Sequence, residues 1–309
     1  MDFIPPSRPS ATAARHFCPF NSHAYLSCLT HIGEVDTRPS APSAIFCRPI
    51  PGSPRFDGLG PWPYMWLERP QQIAELSEAY RDLVTLTAVT QPGFRPTGAA
   101  IDAIHFKDHY LYDPSLGFPA LSKRTREHQR RAEQVYTFDI PADPHERLAI
   151  VAVYQELKRR RGLAGGFFDF PRAHFERLAH LESAVFFRVS DANAAAGMAC
   201  GVMFDGMIHL LHIAITDDGL RKDASYMLMG TMLEFARERR LLLALGGLPN
   251  SADEGVRRFK TRWSNRQAPV HLLRLVNDRP AYAAMTREVA GSSHFPAYRA
   301  PSPDVPADA

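Results

Sequence analysis

Between residues 184 and 240 the apolar pattern changes period once, from two to about 3.6, and that switch limits the folds open to this chain. The runs AVFFRVS (Ala184 to Ser190) and GMACGVMF (Gly197 to Phe204) read as strands, and Asp205-Gly206 is a two-residue hairpin signal leading into MIHLLHIAIT. Three antiparallel strands in series are expected. Beyond the turn DDG, residues Leu228, Met229, Met232, Leu233, Phe235 and Ala236 fall on one face at helical spacing. RERR closes the last turn, where the helix dipole favours cations. A meander followed by an amphipathic helix requires a sheet covered by helices.

The flanking segments extend this pattern. DPHERLAIVAVYQELKRRR and PRAHFERLAHL supply helices before the meander. After the long helix come a short apolar strand LLLAL, the pair Gly246-Gly247, the basic segment DEGVRRFKTRW, the strand VHLLRLV and a last helix near 279–289. The first half reads as a weaker copy. SAIFCRPI is a strand, GLGPWPYMWL a glycine-broken edge, and PQQIAELSEAYRDL a helix with Ile73, Leu76, Tyr80 and Leu83 on one face. VTLTAVTQ and HYLYDPS alternate as strands do, and SKRTREHQRRAEQ is a basic helix before VYTFDIP. The expected class is α/β (α+β), with mixed, mostly antiparallel sheets flanked by helices.

A chain of 309 residues, 45% hydrophobic, is long enough for two modest cores. Its net charge of +3 is small, so bulk electrostatics do not mark a nucleic-acid protein, and local clusters must make that case. No apolar run reaches the roughly 18 residues of a membrane span, and the N-terminal stretch lacks the apolar core of a signal peptide, so a cytoplasmic location is expected. Cys18, Cys28, Cys47 and Cys200 are too few and scattered for a disulfide framework. Although His23 and His31 lie near three of them, a close CxxC pair is missing, and no metal site is expected. Residues 1–19 and the Pro-rich 295–309 read as disordered.

Four motifs in order, GLGPWPY with its following helix, SKRTREHQRRAEQ before a strand, HIAITDDG opening the long helix, and LGG followed by DEGVRRFKTRW, resemble the FemAB-like (FemX-type) aminoacyltransferases of the GNAT superfamily. The resemblance runs from about Phe56 to Tyr282. It implies tandem GNAT-like halves, a degenerate one over 20–143 and a second over 144–294, with a cleft near their junction. It also implies an acyltransferase whose donor is aminoacyl-tRNA and whose acceptor is a small or lipid-linked amine, with no bound cofactor.

Acyl transfer from an activated ester or thioester needs a neutral amine, donors aimed at the tetrahedral oxyanion, and cations for donor phosphates. The resemblance places Lys260 at the transfer centre. Phe259 and Trp263 flank it as packing anchors, and Arg257, Arg258 and Arg262 are further cations. Gly246 and Gly247 end a strand where missing side chains let a ligand approach the backbone. His212, inward on a central strand, is the best candidate base among Asp108, His109, His209, His212 and Asp217, although a satisfied core histidine is the commoner outcome. Arg221 opens RKDASY, where an acyl-CoA enzyme of this fold carries a Q/R-x-x-G-x-G/A turn for the pyrophosphate. Ala224 and Tyr226 replace the two small positions there, which disfavours acyl-CoA. Lys123, Arg126 and Arg130 recur at helical spacing and, with the block Lys158 to Arg161, offer cations to a polyanion such as tRNA. Two alternatives stand beside this reading: an acyl-CoA-dependent N-acyltransferase of polysaccharide or natural-product biosynthesis, and a non-catalytic RNA-binding protein of the same fold.

Overall fold

A computed structural model describes residues 18–98, 101–192, 194–248, 254–287 and 294–300. The strands are β1 (Glu34–Asp36), β2 (Ile45–Pro49), β3 (Phe56–Leu59), β4 (Thr85–Val89), β5 (Ala103–Tyr112), β6 (Thr137–Asp139), β7 (Ala184–Ser190), β8 (Ala195–Phe204), β9 (Met207–Ile215), β10 (Leu242–Gly246) and β11 (Arg266–Val276). The helices are α1 (His23–Leu26), α2 (Gln72–Ala79), α3 (Lys123–Glu133), α4 (Pro144–Arg147), α5 (Ala149–Arg161), α6 (Arg172–Ala179), α7 (Asp217–Arg221), α8 (Ala224–Glu238), α9 (Glu254–Trp263) and α10 (Arg279–Met285).

Local chemistry sets the boundaries. Asp205 (φ +50°) and Gly206 (φ +71°) make the tight turn between β8 and β9. The Ser122 and Thr216 hydroxyls accept backbone N–H groups at the starts of α3 and α7. Gly162, at φ +62°, ends α5 in the left-handed conformation.

All strands join one eleven-stranded sheet, ordered β1-β2-β3-β4-β11-β5-β10-β9-β8-β7-β6. Only β3/β4 and β9/β10 pair in parallel. From β2 to β8 the order is a palindrome about the β11/β5 pair: β2-β3-β4-β11 on one side is answered by β8-β9-β10-β5 on the other. The two halves therefore repeat one topology in tandem and have exchanged their last strands, β5 lying beside β10 and β11 beside β4. The exchange makes one continuous sheet of both halves, because the β5/β11 ladder continues the hydrogen bonding across the junction.

Helices cover both faces. On one, α8 packs Leu228, Met229, Met232 and Leu233 against Val185, Phe187, Ile208 and Leu243. On the other, Ile150, Val153 and Tyr154 of α5 and Phe175 and Leu178 of α6 meet Phe186, Met198 and Cys200. The alternation Val185/Phe186/Phe187 between the two clusters is the period-two signature of a strand buried on both sides. Helix α3 packs against α8 and β6 pairs with β7, so both sit with the later half of the chain. A third cluster joins α2 to β2 and β4.

The chain ends differ from the expectation of disorder where they are described. Cys18 is buried, and Phe20, Tyr25 and Leu26 belong to the core beside α5. The Arg299 guanidinium donates to the buried Asp57 carboxylate, and the Tyr298 hydroxyl is 2.7 Å from the Thr85 hydroxyl. Residues 1–17 and 301–309 lie outside the described residues. The four cysteines are free thiols, and no group of three or more potential ligands gathers where it could hold a metal ion among the described residues.

Candidate active site at the end of β10

Strands β9 and β10 pair only from Met207/Leu242 to His209/Ala244, and β9 then runs on to Ile215 without β10 beside it. On its other side β10 keeps one bulged step to β5, between Ala244 and Gly246. Leu245–Gly247 thus have no β9 ladder beside them, and the carbonyl groups that such a ladder would have held need other partners. Lys260 of α9 supplies them: its Nζ donates to the carbonyl oxygens of Leu245 and Gly247 at 2.6 Å each. An ammonium has three protons, so one remains.

Both glycines are required by geometry. Gly246 has φ +74°, in the region that side chains disfavour. A Cβ on Gly247 would lie 2.5 Å from Lys107 Cδ and 2.9 Å from the His109 ring. Lys107 Nζ in turn donates to the carbonyl oxygen of Leu248 at 3.2 Å. Two ammonium groups therefore border one bend of backbone. Burial, and then the charge of Lys107, brings the Lys260 pKa down to about 8. Burial lowers Lys107 as well.

Behind these cations lies a buried polar group. His109 Nδ1 is 2.8 Å from the Tyr64 hydroxyl. Burial, helped by Lys260, Lys107 and His209, pushes the His109 pKa down to about 3, so the ring is neutral. His209, fully buried on β9 at the point of divergence, packs edge-on against Phe20, Tyr64 and Trp66, and neither ring nitrogen has a hydrogen-bond partner among the described residues.

The sequence-predicted residues separate into groups. Gly246, Gly247 and Lys260 come together as expected of neighbours in one constellation. Phe259 is half-buried and packs on the core, and Trp263 is fully buried. Arg257 and Arg258 sit on the outer face of α9, paired with Glu254 at 3.7 and 3.2 Å, so they do not line the bend. Arg262 lies near the Tyr226 hydroxyl at 3.4 Å. Arg221 is exposed on α7 and paired with Asp218 at 3.2 Å.

His212 occupies a different cluster. Its Nε2 is 2.9 Å from His174 Nε2, and Trp62, Tyr154, Phe170 and Phe175 surround the ring. His174 Nδ1 lies 2.8 Å from the carbonyl oxygen of Cys28, which can only accept, so that nitrogen carries the proton. Burial keeps both rings neutral, His174 with its pKa down to about 4 and His212 well below the ordinary value. His174 Nε2 therefore accepts and His212 Nε2 donates. The pair ties α6 to β9, which is the satisfied-core outcome for His212.

The basic clusters also divide. On α3, Lys123, Arg126 and Arg130 are exposed, while Thr125 and Ala132 face inward. Lys123 makes a loose 3.9 Å pair with Glu127, and Arg126 donates to the carbonyl of Leu121. The second block is held internally: Lys158 pairs with Asp169, and Arg159 and Arg160 pair with Asp217 at 3.1 and 2.6 Å.

The start of α8 is covered by α3. Asp223, left-handed at φ +65°, pairs with His128 Nδ1 at 2.8 Å and Arg131 at 2.9 Å. The Tyr226 ring stacks on His128 with centroids 4.5 Å apart. A carboxylate and two rings thus stand at that helix start, and Ala224 is fully buried.

Sequence reasoning did not single out Lys107 or Tyr64. Lys107 and His109 sit at i and i+2 on one strand, which puts them on one face, and that signal was available in HFKDHY. Tyr64 lies in an irregular stretch after β3, where no periodicity fixes direction.

Residues 120–261 match the family described as acetyltransferase (GNAT) domain. No curated protein matches the chain. Among solved structures, FemX superposes with a TM-score of 0.60 at 10% identity, covering 86% of this chain and 94% of that one. The C-terminal domain of a putative lysylphosphatidylglycerol synthetase from Agrobacterium fabrum gives 0.58 at 14% identity, covering 85% and 90%. L-PGS from Bacillus licheniformis gives 0.55 at 14%, covering 86% and 94%. The domain match gives residues 120–261 the class of a GNAT-type acyltransferase, and the structural likeness gives most of the chain a FemX-like fold. No helix among the described residues is long and apolar enough to cross a membrane.

Proposed function

We propose that this chain forms an amide by moving an activated aminoacyl group from aminoacyl-tRNA to a small or lipid-linked amine, with Lys260 at the transfer centre. The observation that carries this reading is a partly desolvated ammonium, fixed by two carbonyls at the point where β9 and β10 part, with one proton uncommitted. In the reaction the amine nitrogen bonds to the ester carbonyl carbon and the carbonyl electron pair moves onto oxygen. The spare Lys260 proton offsets that charge, an effect worth about 3 kcal/mol for a single well-placed donor. Collapse breaks the bond to the ribose oxygen, which leaves with the proton lost by the amine. The carbonyl is already activated, so no protein nucleophile is required, and His212 remains a core residue in this scheme.

Two features favour tRNA over acyl-CoA as donor. Asp223, His128 and Tyr226 crowd the helix start where a pyrophosphate would bind. The exposed cations Lys123, Arg126 and Arg130 on α3 offer a face to a polyanion. The likeness to FemX and to proteins named for lysylphosphatidylglycerol synthesis agrees with an aminoacyl donor and an acceptor of polar or lipid character. Incubation of the protein with labelled aminoacyl-tRNA or with labelled acetyl-CoA, each beside a panel of amines, tests the donor. Transfer from the first alone is expected; transfer from acetyl-CoA alone contradicts it.

A further inference from the structure

A concavity lies against the first half of the sheet. Its volume is about 640 Å3, within the range of small-molecule sites, and its wall includes Arg48 of β2, Leu59 of β3, Thr87 of β4, Phe106 of β5, Phe167 after α5, and Arg299. Lys260 is not part of that wall.

The wall carries uncompensated charge. Asp57 is fully buried and accepts from Arg48 Nε at 3.1 Å and from Arg299 Nε and Nη2 at 2.5 and 3.0 Å. Two guanidinium groups share one carboxylate, leaving one positive charge at the cavity. Arg48 spends only Nε on Asp57, and its two terminal nitrogens have no partner among the described residues. That free fork is the geometry that takes two oxygens of a phosphate or carboxylate.

The wall also holds a buried polar atom without a partner. Thr87 is 7% exposed, and its hydroxyl makes no hydrogen bond among the described residues. Burying such a group is unfavourable unless something arrives to bond it. Beside it, Phe106 and Phe167 are 39% and 47% exposed, large apolar surfaces next to cations. A cation fork, an unpaired hydroxyl and two bare rings on one concavity define complementary chemistry.

We propose that this cavity binds a small amphipathic anion, a phosphate or carboxylate joined to an aromatic ring or short alkyl chain. Arg48 takes the oxyanion, Thr87 donates to it, and Phe106 and Phe167 cover the apolar part. Binding is independent of the transfer reaction and is measured directly by calorimetry on the full chain with four probes: inorganic phosphate, phenyl phosphate, octyl phosphate and neutral phenyl glucoside. At least one of the two organic phosphates is expected to bind more tightly than inorganic phosphate and than the glucoside, and which one wins identifies the apolar part. Thr87→Val, close in shape, is expected to leave the empty protein at least as stable while weakening the organic phosphates roughly tenfold. Arg299→Gln removes the surplus charge but leaves Arg48 on Asp57, and it is expected to weaken them by a similar factor. The proposal is overturned if phosphate and organic phosphates bind alike, if the glucoside matches them, or if both variants bind as the parent does.

Discussion

Lys260 Nζ stands 2.6 Å from the carbonyl oxygen of Gly247, thirteen residues away in sequence, and the two meet because β10 stops pairing just before that glycine. The bond fixes the direction of the ammonium, while the desolvation that accompanies it weakens the nitrogen's hold on its proton. Position and electrostatics at this point have one structural cause, the parting of β9 from β10.

The ionisation of Lys260 gives the account a pH signature. With its pKa near 8, the ammonium is mostly charged at pH 7 and mostly neutral by pH 9. Turnover that depends on the charge is expected to fall as pH rises through about 8, read as a descending limb in kcat. The stability effect has the opposite direction. The folded pKa lies below the unfolded value of 10.5, so the unfolded chain holds more protons at this site between about 8 and 10.5. The stability of the parent relative to Lys260→Met is therefore expected to rise across that interval, measured by urea unfolding at each pH.

Buried imidazoles make the fold sensitive to acid. Burial lowers the folded pKa values of His109 and His209 to about 3 and of His174 to about 4. Their contribution is complete above the unfolded pKa near 6.5 and is lost as pH falls toward the folded values, since the unfolded chain then binds protons the folded one refuses. Tm is expected to drop between pH 6.5 and 4. His209→Phe, which places a ring without unpaired nitrogens among Phe20, Tyr64 and Trp66, is expected to shrink that drop, read by thermal unfolding at pH 7 and pH 5.

The glycine pair is expected to separate activity from stability. Gly246→Ala puts a side chain at φ +74° and should cost about 1–2 kcal/mol through strain alone. Gly247→Ala should displace Lys107 and His109, the groups a Cβ would strike, and so lower turnover more than its loss in unfolding free energy accounts for. Kinetics and urea unfolding on the same preparations check both.

Trp263 anchors the inner face of α9. It is fully buried, and truncation to Ala should cost about 3–5 kcal/mol. Its indole N–H has no partner among the described residues, so Trp263→Phe removes an unsatisfied donor together with some packing and is expected to cost clearly less than Trp263→Ala. Denaturant midpoints of the two variants decide this.

Much of the fold was legible because its elements advertise their period. The meander from 184 to 215 and the helix Ala224–Glu238 stand where alternation and helical spacing put them. The exchange of β5 and β11 was not legible, because pairing partners distant in sequence leave no trace in local periodicity. The short β1 had the same fault: three residues cannot show a period. At the site, the glycine break and Lys260 were readable from LGG and FKTRW, whereas Lys107 reaches the bend only through the tertiary contact of β5 with β10. His212 shows the limit of reasoning from strand direction. Being inward on β9 put it beside His174 of α6, a partner that no spacing in the sequence announces. Arg257 and Arg258 show a related limit, since helical phase turns them to Glu254 on the outer face, away from the bend.

The central claim rests on one nitrogen, and the most direct measurement is single-turnover transfer from labelled aminoacyl-tRNA by the parent and by Lys260→Met, with unfolding curves confirming that both are folded. A loss of about a hundredfold or more in the transfer rate, in a variant that still unfolds cooperatively, is the predicted result. Transfer at an unchanged rate by the folded variant would contradict the account.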